Sequence, residues 1–156
     1  MTPRVFRSVD EVKSAIDEPI GPSDWLVVDQ ERVNAFADAT GDHQWIHVDV
    51  ERAATGPFGG TIAHGYLTLS LIPYFALQLF RFELNSPRVN YGINKVRFPT
   101  PVPVGSSLRA QATFVDLREA ATGATLTTRY TIEIDGRPKP ACVAETMTLL
   151  LPTRGN

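Results

Sequence analysis

The chain has 156 residues, 43% of them hydrophobic, and fifteen Lys and Arg against seventeen Asp and Glu give a formal charge of -2. This suits one globular domain over 1–156, and without a basic block sequence-independent nucleic-acid binding lacks an electrostatic basis. Met1 to Ile20 has no hydrophobic run of the secretory type, so a cytoplasmic location is the expectation, and the single cysteine, Cys142, excludes an internal disulfide.

Trp25 to Val28 is a short apolar run, and Asp29 is placed to cap a helix over Gln30 to Thr40, where Val33, Phe36 and Ala37 repeat at i, i+3, i+4. Gly41 is placed to end that helix. Asp49 to Ala54 predicts a short helix, and Thr55 to Gly60 a loop dense in turn formers that lacks the Lys-Ser/Thr ending of a phosphate-binding loop. Tyr66 to Phe80 is apolar on nearly every side, as in an enclosed helix whose aromatic residues Tyr66, Tyr74, Phe75 and Phe80 are core. It is too short to span a bilayer, and Pro73 predicts a kink or restart within it.

Beyond residue 86 the chain reads as strand. Arg88 to Phe98 is extended, and the prolines at 99, 101 and 103 confine 99–105 to a rim loop. Leu108 to Leu117 follows. Thr125 to Ile134 alternates Leu126, Thr128, Tyr130, Ile132 and Ile134 on one face with Thr125, Thr127, Arg129, Thr131 and Glu133 on the other. Asp135-Gly136 marks a hairpin turn, and Ala141 to Leu151 returns, with Cys142 reading as a small buried hydrophobe. One enclosed helix followed by long antiparallel strands predicts an α+β fold, a sheet curled around that helix.

Ala39-Thr40-Gly41-Asp42-His43-Gln44-Trp45-Ile46-His47-Val48-Asp49 carries the chemistry. Five residues turn an ideal helix through roughly 500°, so Asp42 and His47 converge only if the helix ends at Gly41 and the chain turns back. A carboxylate and an imidazole over one pocket can hold a water and share proton transfer near neutral pH. Either residue alone is more simply a turn former or a hydrogen-bonded structural group. His43 and His47 are four apart with no third ligand in view, so no metal is expected.

Thr40-Gly41-Asp42 with Ile46-His47 and Asp49, Ile62-Ala63-His64-Gly65 opening an apolar helix, Asn94-Lys95-Val96-Arg97-Phe98-Pro99 and Pro101-Val102-Pro103-Val104-Gly105 together resemble the MaoC-like, R-specific enoyl-CoA hydratase family. The resemblance runs from about Asp29 to Leu151. It implies a hot-dog fold, a homodimer and a site for acyl groups carried on coenzyme A or acyl carrier protein, with coenzyme A belonging to the substrate and no separate cofactor. It also implies that Asp42 and His47 are the catalytic pair and that the Gly65 backbone N–H faces the thioester oxygen. Ser70 matches a family serine near the pocket, and Gln44-Trp45 stand where the family usually has Asn-Pro, at positions that shape the turn. Lys95 and Arg97 are coenzyme A contacts by position, and His64 is as well explained by a helix entrance as by a role of its own.

The reading is hydration of trans-2-enoyl thioesters or its reverse, in fatty-acid metabolism. Which of Asp42 and His47 is base and which acid is left open, and so are a non-catalytic acyl-binding subunit of a heterodimer and a hot-dog thioesterase.

Overall fold

The computed structural model describes residues 1–152. In chain order the elements are β1 (Arg4–Phe6), α1 (Val9–Ser14), β2 (Pro19–Ile20), β3 (Leu26–Val27), α2 (Gln30–Thr40), α3 (Trp45–Val48) and α4 (Val50–Ala54). There follow α5 (Gly65–Ser70), α6 (Ile72–Leu79), β4 (Phe80–Phe82), β5 (Arg88–Arg97), β6 (Ser107–Ala120), β7 (Gly123–Ile134) and β8 (Cys142–Leu150). An antiparallel sheet runs β2, β6, β7, β8, β5, with β3 also paired to β6, and β1 lies parallel to β4 in a separate two-stranded sheet.

The five β7 residues expected on the inner face, Leu126, Thr128, Tyr130, Ile132 and Ile134, are all buried. They meet α6, whose Phe75 and Leu79 are fully buried, within a core that also holds Phe6 and Phe114. The rings of Phe6 and Phe80 lie 5.2 and 5.0 Å from that of Phe114, tying the N-terminal strand and the end of α6 to β6. Burying one such side chain contributes about 1.5–3 kcal/mol, so these aromatic contacts anchor the central helix.

The break expected at Pro73 occurs two residues earlier. Leu71 ends α5, and α6 restarts at Ile72 with Pro73 in its first turn, where a missing N–H costs no helical bond. The central helix is not enclosed on every side, however. Tyr66 is 72% exposed, Leu77 64% and Tyr74 42%, so Phe75 and Phe80 are core but Tyr66 and Tyr74 are not. Among the described residues the sheet stops at β5, whose outer edge has no neighbouring strand, and its Val89, Tyr91 and Ile93 are exposed as well. No composition rule separates a helix face that the same chain covers from one that is left open.

Elements also form in the first twenty residues, where the sequence reading placed none. Ser8 caps α1 by accepting the Glu11 N–H at 3.1 Å, while the Glu11 carboxylate accepts the Arg7 N–H at 2.6 Å. Ser8-Val9-Asp10-Glu11 is the serine-to-glutamate spacing that signals a helix start.

Candidate active site

Local rules place Asp42. Asp29 caps α2 by accepting the Arg32 N–H at 2.9 Å. At its far end Gly41 takes the left-handed conformation, φ 78°, and its N–H closes on the Ala37 oxygen at 2.8 Å. The chain then reverses. Thr40 Oγ1 accepts the Asp42 N–H and Asp42 Oδ1 accepts the Gln44 N–H, each at 3.3 Å, which holds the aspartate at the turn into α3.

On α3, the His47 N–H donates to the Gln44 oxygen at 3.0 Å, and His47 Nδ1 lies 2.7 Å from the Ile62 oxygen. A carbonyl only accepts, so Nδ1 carries a proton and, in the neutral ring, Nε2 keeps its lone pair. The Ile62 N–H in turn donates to the Ile46 oxygen at 3.0 Å, so one extended residue grips α3 twice. Gln30 adds a brace that sequence reasoning missed: its Nε2 donates to the His47 oxygen at 2.8 Å and its Oε1 accepts the Thr61 hydroxyl at 2.7 Å.

The fold brings a third group to the pair. His64 stacks on His47 with centroids 3.9 Å apart and 24° between planes, and its Nε2 lies 2.9 Å from the Asp42 main-chain oxygen and 4.0 Å from Asp42 Oδ2. Asp42, His47 and His64 each present an atom within 4.8 Å of the other two. Stacked rings direct their in-plane lone pairs side by side rather than to one point, and His64 Nε2 is occupied by Asp42, so this arrangement suits proton transfer better than cation ligation. Both imidazoles are buried whereas the Asp42 side chain is 49% exposed, so the carboxylate is the member of the three that meets solvent.

Gly65 follows directly as the first residue of α5, and its N–H meets no protein acceptor among the described residues. A Cβ there would lie 3.2 Å from the Phe98 ring, a close approach that glycine permits. Ser70 is not brought to the pair. Its hydroxyl donates to the Tyr66 oxygen at 2.6 Å, and it lines a cavity of about 640 Å³ with Leu77, Tyr91 and Ile93, to which Asp42, His47 and Gly65 do not contribute.

Gln44 is exposed and serves the site through its main chain. The Trp45 ring carries the Arg52 guanidinium 4.2 Å from its centroid and packs on Gly56, bracing the corner between α3 and α4. Lys95 and Arg97 are exposed on β5 and form no ion pair among the described residues, and Arg97 directly precedes Phe98. His43 turns to Asp38, 2.9 Å away, and this hydrogen bond raises its pKa. Burial pushes the Cys142 thiol up to about 11, which removes it as a nucleophile at neutral pH. No helix among the described residues is long and apolar enough to cross a membrane.

Comparison with known proteins places the fold. The model of the MaoC-like domain matches residues 11–135. The 3-hydroxyacyl-thioester dehydratase Z of Mycobacterium tuberculosis is 53% identical over 145 residues, covering 92% of this chain and 96% of that one. The (R)-hydratase from A. caviae involved in PHA biosynthesis superposes with a TM-score of 0.66 at 31% identity, over 84% of this chain and 96% of its own. A monoamine oxidase regulatory protein from Archaeoglobus fulgidus shares the fold with a TM-score of 0.79 at 24% identity, over 99% of this chain and all of its own. The hot-dog arrangement and these matches agree: the chain belongs to the MaoC-like dehydratase family.

Proposed function

We propose that this protein is an R-specific 2-enoyl-thioester hydratase, equally a 3-hydroxyacyl-thioester dehydratase, of fatty-acid metabolism. One observation carries the reading. The Ile62 oxygen fixes the proton of His47 on Nδ1, leaving Nε2 as an acceptor on a ring that clusters with the partly exposed Asp42 carboxylate.

In hydration, Asp42 and His47 hold one water. His47 Nε2 accepts a proton from it as its oxygen bonds to Cβ, and the imidazolium returns that proton to Cα, while the carboxylate holds the second water hydrogen. Negative charge gathers meanwhile on the thioester oxygen, where the unoccupied Gly65 N–H would stabilise it. Dehydration runs through the same groups in reverse. Coenzyme A or acyl carrier protein presents the acyl group as part of the substrate, and the chemistry calls for no other cofactor. Exposed Lys95 and Arg97 are suited to the phosphates of the carrier.

The reading includes a homodimer in the cytoplasm. The open edge of β5 and the exposed apolar side chains Tyr91, Ile93 and Leu77 around one cavity support pairing with a second copy.

Loss of enoyl-thioester absorbance with crotonyl-CoA and a longer trans-2-enoyl-CoA tests the function, with free thiol followed in parallel. Loss of absorbance without thiol release is the expected result. Thiol release would establish a thioesterase, and binding without turnover at any chain length would establish an acyl-binding subunit.

A further inference from the structure

We propose that His64 is a positioning residue that sets both members of the pair at once: its Nε2–H holds the main chain of Asp42 while its ring face fixes the plane of the His47 imidazole. The inference rests on the hydratase reading and goes beyond the pair itself.

His64 is 2% exposed, and its two ring nitrogens differ sharply. Nε2 lies 2.9 Å from a carbonyl oxygen that can only accept, so it carries a proton. Nδ1 is buried with no hydrogen-bond partner among the described residues. A second proton there would be a buried donor without an acceptor, which is costly, so the ring holds one proton, on Nε2.

Geometry makes this tautomer useful. The ring packs on Phe36, 5.0 Å away at 57°, a residue of the helix that ends at Gly41. It also stacks on His47 at 3.9 Å. His47 is therefore held in its plane by Ile62 at one edge and by His64 across its face, and Asp42 is held through its carbonyl. When His47 takes a proton from water it faces an aromatic surface rather than a second cation. His64 also immediately precedes Gly65, so the side chain that positions the pair is joined by one peptide bond to the proposed oxyanion donor.

The test divides the two contacts. His64→Phe keeps an aromatic face without the donor, His64→Gln keeps an amide N–H without the ring, and His64→Ala removes both. With crotonyl-CoA, H64A should lower kcat by on the order of a hundredfold, the scale of an ångström of misplacement, with the other two variants falling between it and wild type. KM should stay within about twofold, because the substrate itself is not touched. A kcat in H64A within about threefold of wild type, or a loss carried by KM instead, overturns the proposal. If the variants do not fold, nitrogen NMR of labelled histidine in the wild type decides. His64 protonated at Nε2 with a bare Nδ1 supports it, and a proton on Nδ1 overturns it. Wild type inactive on every enoyl thioester would overturn the hydratase reading instead, a result distinct from an active wild type indifferent to H64A.

Discussion

The Ile62 oxygen lies 2.7 Å from His47 Nδ1, and Ile62 also donates its own N–H to Ile46, so a single residue fifteen positions beyond His47 determines which edge of the imidazole is left free to accept a proton. With Nδ1 committed, Nε2 is the only ring atom of His47 able to accept a proton from water.

Replacing the pair should therefore abolish turnover without unfolding the chain. Asp42→Asn and His47→Gln are each expected to lower kcat by about 10²–10⁴-fold, the usual range for general acid–base groups. Enoyl-thioester absorbance measures the loss, and circular dichroism measures the folded state. Full activity in either variant would remove that residue from the reaction.

Gly65→Ala tests the backbone donor. The new methyl would lie 3.2 Å from Phe98, so the ring or the helix start must give by a few tenths of an ångström. Complete loss of such a donor costs about 3 kcal/mol of transition-state stabilisation, and a partial displacement should cost less. Adding Phe98→Ala relieves the contact and should restore part of kcat, whereas equal losses in the single and double variants would show that Phe98 is not the cause.

Ile93→Lys tests the dimer. Ile93 is 49% exposed on the edge strand, so a lysine there leaves the core intact while placing a charge on the pairing edge. Light scattering should find wild type at twice the chain mass and the variant at the chain mass. A monomeric wild type would refute the dimer.

Cys142 gives a pH-dependent stability. Burial raises its thiol from 9.0 to about 11, and a raised acid is favoured in its protonated form in the folded state. Its contribution is thus fully present below pH 9 and is lost as pH rises through about 11. Urea melts over that window should show stability falling, less steeply in Cys142→Val, and native protein should resist iodoacetamide near neutral pH.

What the sequence revealed was what short-range chemistry decides. Asp29 and Gly41 marked both ends of α2 because capping and a left-handed turn are properties of single residues, and β7 declared its inner face by alternation. Asp42 and His47 were legible through their spacing and the motif around them. His64 was visible as a residue but not as a partner, because its stack depends on where Ala63 is fixed by the Val102 carbonyl, 2.8 Å away and nearly forty positions along the chain. Tyr66 and Tyr74 misled for a related reason: an apolar helix face left open has the same composition as one already buried. The match of Ser70 to the family motif gave its turn of helix but not its direction, and its hydroxyl is spent on the Tyr66 carbonyl.

Gln30, the first residue of α2, reaches both the His47 carbonyl and the Thr61 hydroxyl. Unwinding the first turn of that helix would therefore slacken α3 and the segment entering Ile62 together, even though Asp42 stands at the opposite end of α2. The Asp29 cap, at the end of α2 remote from Asp42, is thus joined through Gln30 to the turn that carries Asp42 and His47, so loosening that cap should loosen the turn as well.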